Sequence, residues 1–269
     1  MSIRTPLLQL VFATTALTRM AAAVGAPPAD TAPMDRDAMI KLLTTVDDRQ
    51  RNQGDWQSLV YMEQKEKDKV DVVYEARIYR RSDDNRFTIL FTQPKSEQGK
   101  GYMRIDKNLW FYDPTVGKWE RRTERERIGG TNSRRSDFDE SRLAQEYEPS
   151  FQGYAKLGEF QTVRLKLKGK EGLDLAFPVI ELWVDRANYH VLKRQEVALS
   201  GKLMRTSYYP KWQKLWSESK KGEIWYPQEI RFYDEVEKAN STHILIKSVD
   251  LRPLDKNLFT KAWLESKSR

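Results

Sequence analysis

The sequence predicts a mainly β protein: an antiparallel meander of roughly ten or eleven strands, preceded by one amphipathic helix. Three observations carry this. From Trp56 onward apolar side chains recur with a period of two, as in Phe87, Ile89 and Phe91, which alternate with Thr88, Leu90 and Thr92. Turn-forming clusters interrupt these runs at short, hairpin-like intervals. Only the segment from Asp35 to Arg51 has a helical stripe, with Met39, Leu42, Leu43 and Val46 at i, i+3, i+4 and i+7.

In chain order, the N-terminal segment reads as an address. Arg4 supplies a positive start, Leu7 to Leu17 is apolar, and Ala21-Ala22-Ala23 offers a small-residue cleavage pattern. Residues 1–23 are expected to be a cleavable signal peptide; an uncleaved anchor or a buried helix are the alternatives. Residues 24–34, with Pro27, Pro28 and Pro33, form a stiff linker. Residues 35–269 are expected to be a single domain. Asp35 is the expected N-cap of the helix, and Gly54 lies near its end. Val163, Leu165 and Leu167 alternate with Arg164, Lys166 and Lys168, and Ile180, Leu182 and Val184 with Glu181, Trp183 and Asp185. These are strands expected to bury one face and wet the other. The breaks at Ser82-Asp83-Asp84-Asn85, Asp106-Lys107-Asn108, Asp113 to Lys118, Ala187-Asn188 and Ser200-Gly201-Lys202 read as hairpin turns. Arg121 to Gln152 is the one long stretch without alternation. So long a sheet must curl, since open edges invite aggregation. A strongly curved sheet places the helix as a lid across its concave face.

Composition removes several function classes. The absence of cysteine excludes thiolate catalysis, Cys-based metal sites and disulfides. With 32 % charged residues and a mean hydropathy of −0.75, the chain is no polytopic membrane protein. His190 and His243 are the only histidines, with no HExxH setting, so no metal site is expected. No GxSxG nucleophile motif or phosphate loop is present. No enzyme and no cofactor are expected. Lys118 to Arg142 holds eight basic and six acidic residues, a net charge too small for a nucleic-acid footprint. A salt-bridged loop and a docking element with Arg134 and Arg135 facing a membrane partner or anionic head group are the two readings of that stretch.

Several short pieces run across the chain: Gly101-Tyr102-Met103-Arg104, Asn108 to Pro114, Gly129 to Asp139, Leu182-Trp183-Val184-Asp185, Tyr208 to Trp212 and Ile246 to Asp255. Their order and spacing resemble the LolA-like outer-membrane lipoprotein-sorting family. The resemblance implies an incomplete, eleven-stranded antiparallel β-barrel with a helical lid and an apolar cavity. It also implies binding of lipid or lipoprotein acyl chains without catalysis, and an inner-membrane ABC-type transporter as partner. The long basic segment exceeds what such a carrier needs.

The expectation is therefore a periplasmic carrier, exported by its signal peptide, monomeric, with transient membrane-surface contact and no nucleic-acid partner. The cavity candidates are Phe87, Ile89, Phe91, Val163, Leu165, Leu167, Ile180, Leu182 and Val184. The lid residues are Met39, Leu42, Leu43 and Val46. A periplasmic sensor of lipid or mislocalised lipoprotein on the same scaffold is the alternative, and a carbohydrate-acting enzyme a weaker third.

Overall fold

The computed structural model describes residues 32–51, 54–81, 84–106, 108–123, 126–139, 141–218 and 220–268. The expected signal peptide and residues 24–31 of the linker lie outside the described residues, as does Arg125 of the basic segment. Pro33–Arg269 form one compact unit.

Helix α1 spans Arg36–Arg51. The Asp35 carboxylate accepts from the Ala38 backbone N–H at 2.8 Å, capping the first turn. Met39, Leu42, Leu43 and Val46 are all buried, Leu43 completely. Among the described residues thirteen strands follow: β1 Trp56–Lys65, β2 Val72–Arg81, β3 Arg86–Gln93, β4 Gly101–Ile105, β5 Asn108–Asp113, β6 Lys118–Arg122, β7 Tyr147–Leu157, β8 Phe160–Gly169, β9 Val179–Asp185, β10 Val191–Val197, β11 Leu203–Ser217, β12 Gly222–Asp234 and β13 Ser241–Asp250. A single turn of helix, α2 (Leu143–Glu146), precedes β7, and α3 (Lys261–Lys267) follows β13.

All thirteen strands form one curved antiparallel sheet that does not close into a barrel. Its order is β6-β5-β4-β3-β2-β1-β13-β12-β11-β10-β9-β8-β7. The first and last strands pair at its centre, with Tyr61 opposite Leu245. Consequently the two edges, β6 and β7, are consecutive in the chain, and the connection between them must cross the sheet. The count exceeds the expected eleven partly because β7 occupies part of the stretch read as irregular. Pro149 and the positive φ of Gly153, which sits at a bulge, obscure its alternation. An edge strand tolerates both.

The inner face carries two apolar clusters. One gathers Phe87, Ile89 and Phe91 of β3 with Val60, Met62, Ile78, Phe232 and Ile246. The other joins the α1 stripe to Val163, Leu165 and Leu167 of β8 and Ile180, Leu182 and Val184 of β9. The outer face is drier than expected on two strands. In β3, Thr88 and Leu90 are buried because the C-terminal segment covers them: the Thr88 hydroxyl donates to the Leu258 carbonyl at 2.9 Å. In β9, Trp183 is buried beneath the Arg164 guanidinium and the Lys193 ammonium, 4.9 and 4.2 Å from its ring centre.

Candidate functional site

Over the central strands, within the first cluster, the inner face leaves a cavity of about 180 Å3. Period-two alternation builds its floor: Trp56, Val60 and Met62 of β1, Ile78 of β2, Ile230 and Phe232 of β12, and Ile244 and Ile246 of β13. Tyr209, Trp212, Tyr226 and Pro227 form a wall. That wall belongs to a two-stranded arm. Beyond Tyr208 β11 no longer pairs with β10, and before Glu229 β12 does not pair with β13, so residues 212–217 and 222–227 pair only with each other. Bulges at Tyr208/Lys211 and Lys211/Trp212 bend the arm, and its Leu215 and Ile224 pack on the first apolar cluster.

Ser133, Asp137, Phe138 and Asp139 form the roof. They belong to the crossing between β6 and β7, which acts as a strap pinned at several points. At its start, Arg127 bonds Asp234 at 2.6 Å. A turn follows, closed by the Ile128 N–H on the Ser133 carbonyl at 2.8 Å. The turn lies on Phe91, whose ring a Cβ on Gly129 would approach to 3.1 Å. The Asn132 N–H donates to the Thr242 hydroxyl at 2.7 Å, and that hydroxyl donates to Gln64; all three residues are buried. Phe138 packs on Phe87 with ring centres 5.4 Å apart and planes tilted by 37°, and its carbonyl accepts from Arg80. Asp139 pairs with buried Arg104. Finally Asp47 of α1 accepts from the Ser141 hydroxyl and the Leu143 and Ala144 N–H groups at 2.5, 3.0 and 2.9 Å. One carboxylate on α1 thus caps α2 and ties the lid helix to the strap.

The tightest pin is Arg205 of β11, 2 % exposed. Its Nε and Nη2 donate to Glu196 at 2.6 and 2.7 Å, and its Nη1 and Nη2 donate to Asp137 at 2.7 and 2.5 Å. Nη1 also donates to the Asn132 carbonyl at 3.0 Å. Rings of Phe232 and Phe177 flank the guanidinium at 4.7 and 5.5 Å. Burial opposes the charge, yet the Asp137 and Glu196 carboxylates outweigh it and hold the Arg205 pKa well above the ordinary value. Burial alone would raise the Asp137 pKa; the Arg205 charge and its hydrogen bonds depress it instead. A two-sided fork of this kind is something only arginine provides.

His190 lies behind the arm. Trp212 stacks on its ring at 4.5 Å and Trp225 meets it edge-on at 4.5 Å. Burial, followed by the Arg49 charge, pushes its pKa down to about 4. Burial also pushes Tyr209, beside the cavity, up to about 12. Among the described residues no group of three His, Asp or Glu side chains converges as a metal site.

The residues singled out in the sequence fall around this cavity rather than on it. All nine cavity candidates are buried on the inner face, three in the first cluster and six beneath α1, and none lines the cavity. The four lid residues pack on the second cluster, beside the cavity. Arg134 and Arg135 do not share one exposed surface. The Arg135 side chain is 4 % exposed and 3.7 Å from Asp139, whereas the Arg134 guanidinium stands 5.3 Å over the Phe177 ring. The cavity wall is instead supplied by Tyr209, Trp212 and Tyr226. The floor residues of β1, β12 and β13 were missed, though their alternation (Trp56, Ser58, Val60, Met62) is visible in the sequence.

Residues 83–266 match the model of a family described as uncharacterized protein. No curated protein matches the sequence. A LolA superfamily protein from Nitrosomonas europaea is similar in structure, with a TM-score of 0.67 and 21 % identity over 83 % of this chain and 97 % of that one. A putative outer membrane lipoprotein-sorting protein domain from Vibrio parahaemolyticus has a TM-score of 0.72 and 16 % identity over 84 % and 97 %. A DUF1329 family protein from Desulfovibrio piger has a TM-score of 0.72 and 16 % identity over 85 % and 98 %. At these identities the likeness is one of fold.

Proposed function

Because the chain belongs to the DUF1329-like family of uncharacterized proteins and has the LolA fold, we propose that it is a carrier that shelters an acyl chain of a lipid or lipoprotein. The observation that carries this reading is the apolar cavity over β1, β2, β12 and β13, walled by aromatic rings. Each methylene that enters such a space gains about 0.8 kcal/mol. No polar subsite is then needed for affinity, and the roof carboxylates Asp137 and Asp139 are paired with Arg205 and Arg104.

At about 180 Å3 the cavity is smaller than sites for drug-sized ligands, which run to roughly 300–1,000 Å3. A full acyl chain therefore enters by displacing the strap or the arm, and the described conformation is the closed one. The signal-like N-terminus supports a periplasmic setting, and with it a non-enzymatic transfer from an inner-membrane ABC-type transporter toward the outer membrane. The test is titration with N-phenylnaphthylamine, a fluorescent apolar probe. Ile230→Trp fills the cavity from its floor and should weaken probe affinity at least tenfold, with an unchanged circular dichroism spectrum. Unaltered affinity in that variant would sink the cavity reading.

A further inference from the structure

The exposed apolar residues are not scattered. Among the described residues nine large apolar side chains are exposed, and six of them are Val70, Val73, Val116, Leu173, Leu199 and Val236. The strand registers place all six at one end of the sheet. β1 runs toward this end and β13 away from it, and alternation carries the same direction to β5, β8, β10 and β12. Six hairpin turns meet here, and five carry one of these aliphatic residues at or beside the tip. Leu199 and Val70 are 87 % and 88 % exposed. Neighbouring hairpins stand about 10 Å apart, two strand spacings. Lone apolar side chains on a surface need no explanation, but the gathering of six of the nine at one end of one sheet does.

Each of these five turns also has a lysine within three residues of its aliphatic tip (Lys69, Lys118, Lys170, Lys202 and Lys238), with carboxylates interleaved at Asp68, Asp71, Asp113, Glu171, Asp174, Glu235 and Glu237. Between Leu173 and Leu199 lies a groove of about 580 Å3, lined further by Leu175, Phe177, Met204 and Arg134. Lys170, Glu171 and Asp174 also border it, so both charge signs are present. Its neighbours Arg205 and Arg127 bond carboxylates, but the half-buried Arg134 guanidinium forms no ion pair with any described residue. Burial and the adjacent Arg205 charge lower its pKa from the ordinary arginine value.

We infer that this end of the sheet docks on a phospholipid bilayer, with Leu173, Leu199 and their neighbouring tips entering the interface and Arg134 receiving a lipid phosphate in the groove. Single aliphatic tips spread along one end match the apolar depth of a bilayer, and the Arg134 guanidinium in the groove, without an ion-pair partner among the described residues, matches the phosphates above it. A protein partner would favour a packed patch with aromatic anchors. The inference deepens the carrier reading by assigning the surface through which cargo is exchanged, and it is tested apart from the cavity.

The chain has no cysteine, so single labels are clean. An environment-sensitive nitrobenzoxadiazole label is placed at Leu199→Cys, at Leu173→Cys and, as a control at the opposite end, at the exposed Trp216→Cys. Vesicles of phosphatidylcholine with phosphatidylglycerol should blue-shift the first two and leave the third unchanged. Leu173→Ser with Leu199→Ser should weaken vesicle association at least tenfold. Arg134→Gln should weaken it a few-fold, and less as phosphatidylglycerol is removed. A shift at position 216 alone, or none at 199 and 173, overturns the inference. So does light scattering that shows a dimer without vesicles which Leu199→Ser dissolves, since the tips would then serve a second copy. The serine variants should keep their naphthylamine affinity, so docking and cavity occupancy fail separately.

Discussion

Replacing Arg205 by methionine tests whether the strap is held by charge. The substitution keeps much of the side-chain volume between Phe177 and Phe232, and it leaves the Asp137 and Glu196 carboxylates without their principal counter-ion. Glu196 is fully buried and keeps only Arg194, at 3.0 Å, while the Asp137 side chain is 16 % exposed. Removing one partner of a buried pair costs about 3–5 kcal/mol. A domain of this size loses about 2–4 °C of Tm per kcal/mol, so the variant should melt roughly 6–20 °C lower at pH 7. The pH dependence supplies a second constraint. Asp137 has a depressed pKa in the folded protein, so its contribution is complete above the ordinary carboxylate pKa and fades as pH falls through the folded value. In the variant the depression is gone and burial favours the protonated acid. The gap in Tm between the two proteins should therefore narrow as pH falls from 7 toward 4. Thermal melts by circular dichroism read both quantities. A gap of less than about 2 °C that does not change with pH would refute the argument that this pin is ionic.

Two further outcomes follow from the packing. Leu43→Ala removes a fully buried side chain from beneath α1 and should cost about 2–5 kcal/mol in chemical denaturation. Because Leu43 does not line the cavity, naphthylamine affinity should stay within two- to threefold; a selective loss of probe binding would instead make α1 the gate. His190 has a folded pKa of about 4, below its unfolded value, so it favours the folded state above the unfolded pKa. That contribution is lost progressively as pH falls from the unfolded value through 4. Tryptophan fluorescence should report loosening of Trp212 and Trp225 in this interval, and His190→Phe should abolish the change.

Much of the sheet was legible because burial writes itself into alternation. Phe87, Ile89, Phe91, Val163, Leu165, Leu167, Ile180, Leu182 and Val184 all face inward, as a period of two requires. The helix begins within one residue of its expected start because Asp35 caps it. The functional centre was less legible, and for identifiable reasons. Filled and vacant parts of an inner face use the same residues, so alternation at Val60 or Ile244 does not distinguish core from cavity. The strap carries no periodicity because its partners are single contacts far away in sequence, such as Asp137 with Arg205 and Asp47 with Leu143. Arg134 and Arg135 are neighbours in sequence, yet the short helical turn at Arg135–Phe138 sends one side chain inward and leaves the other over Phe177.

The central seam between β1 and β13 bears on how the chain reaches this state. Every other adjacent pair in the sheet joins strands consecutive in sequence, so β1 to β6 and β7 to β13 are two runs built from local hairpins. The seam alone brings together segments as distant as Gln64 and Thr242. Local hairpins form on microsecond timescales, whereas loop-closure entropy burdens a distant pairing until many contacts offset it. The two runs should therefore gain structure early and the seam late, the step that sets the folding rate. Until the seam forms, β1 and β13 each present an unpaired edge. The period in which the nascent protein is most open to aggregation should end with that one pairing.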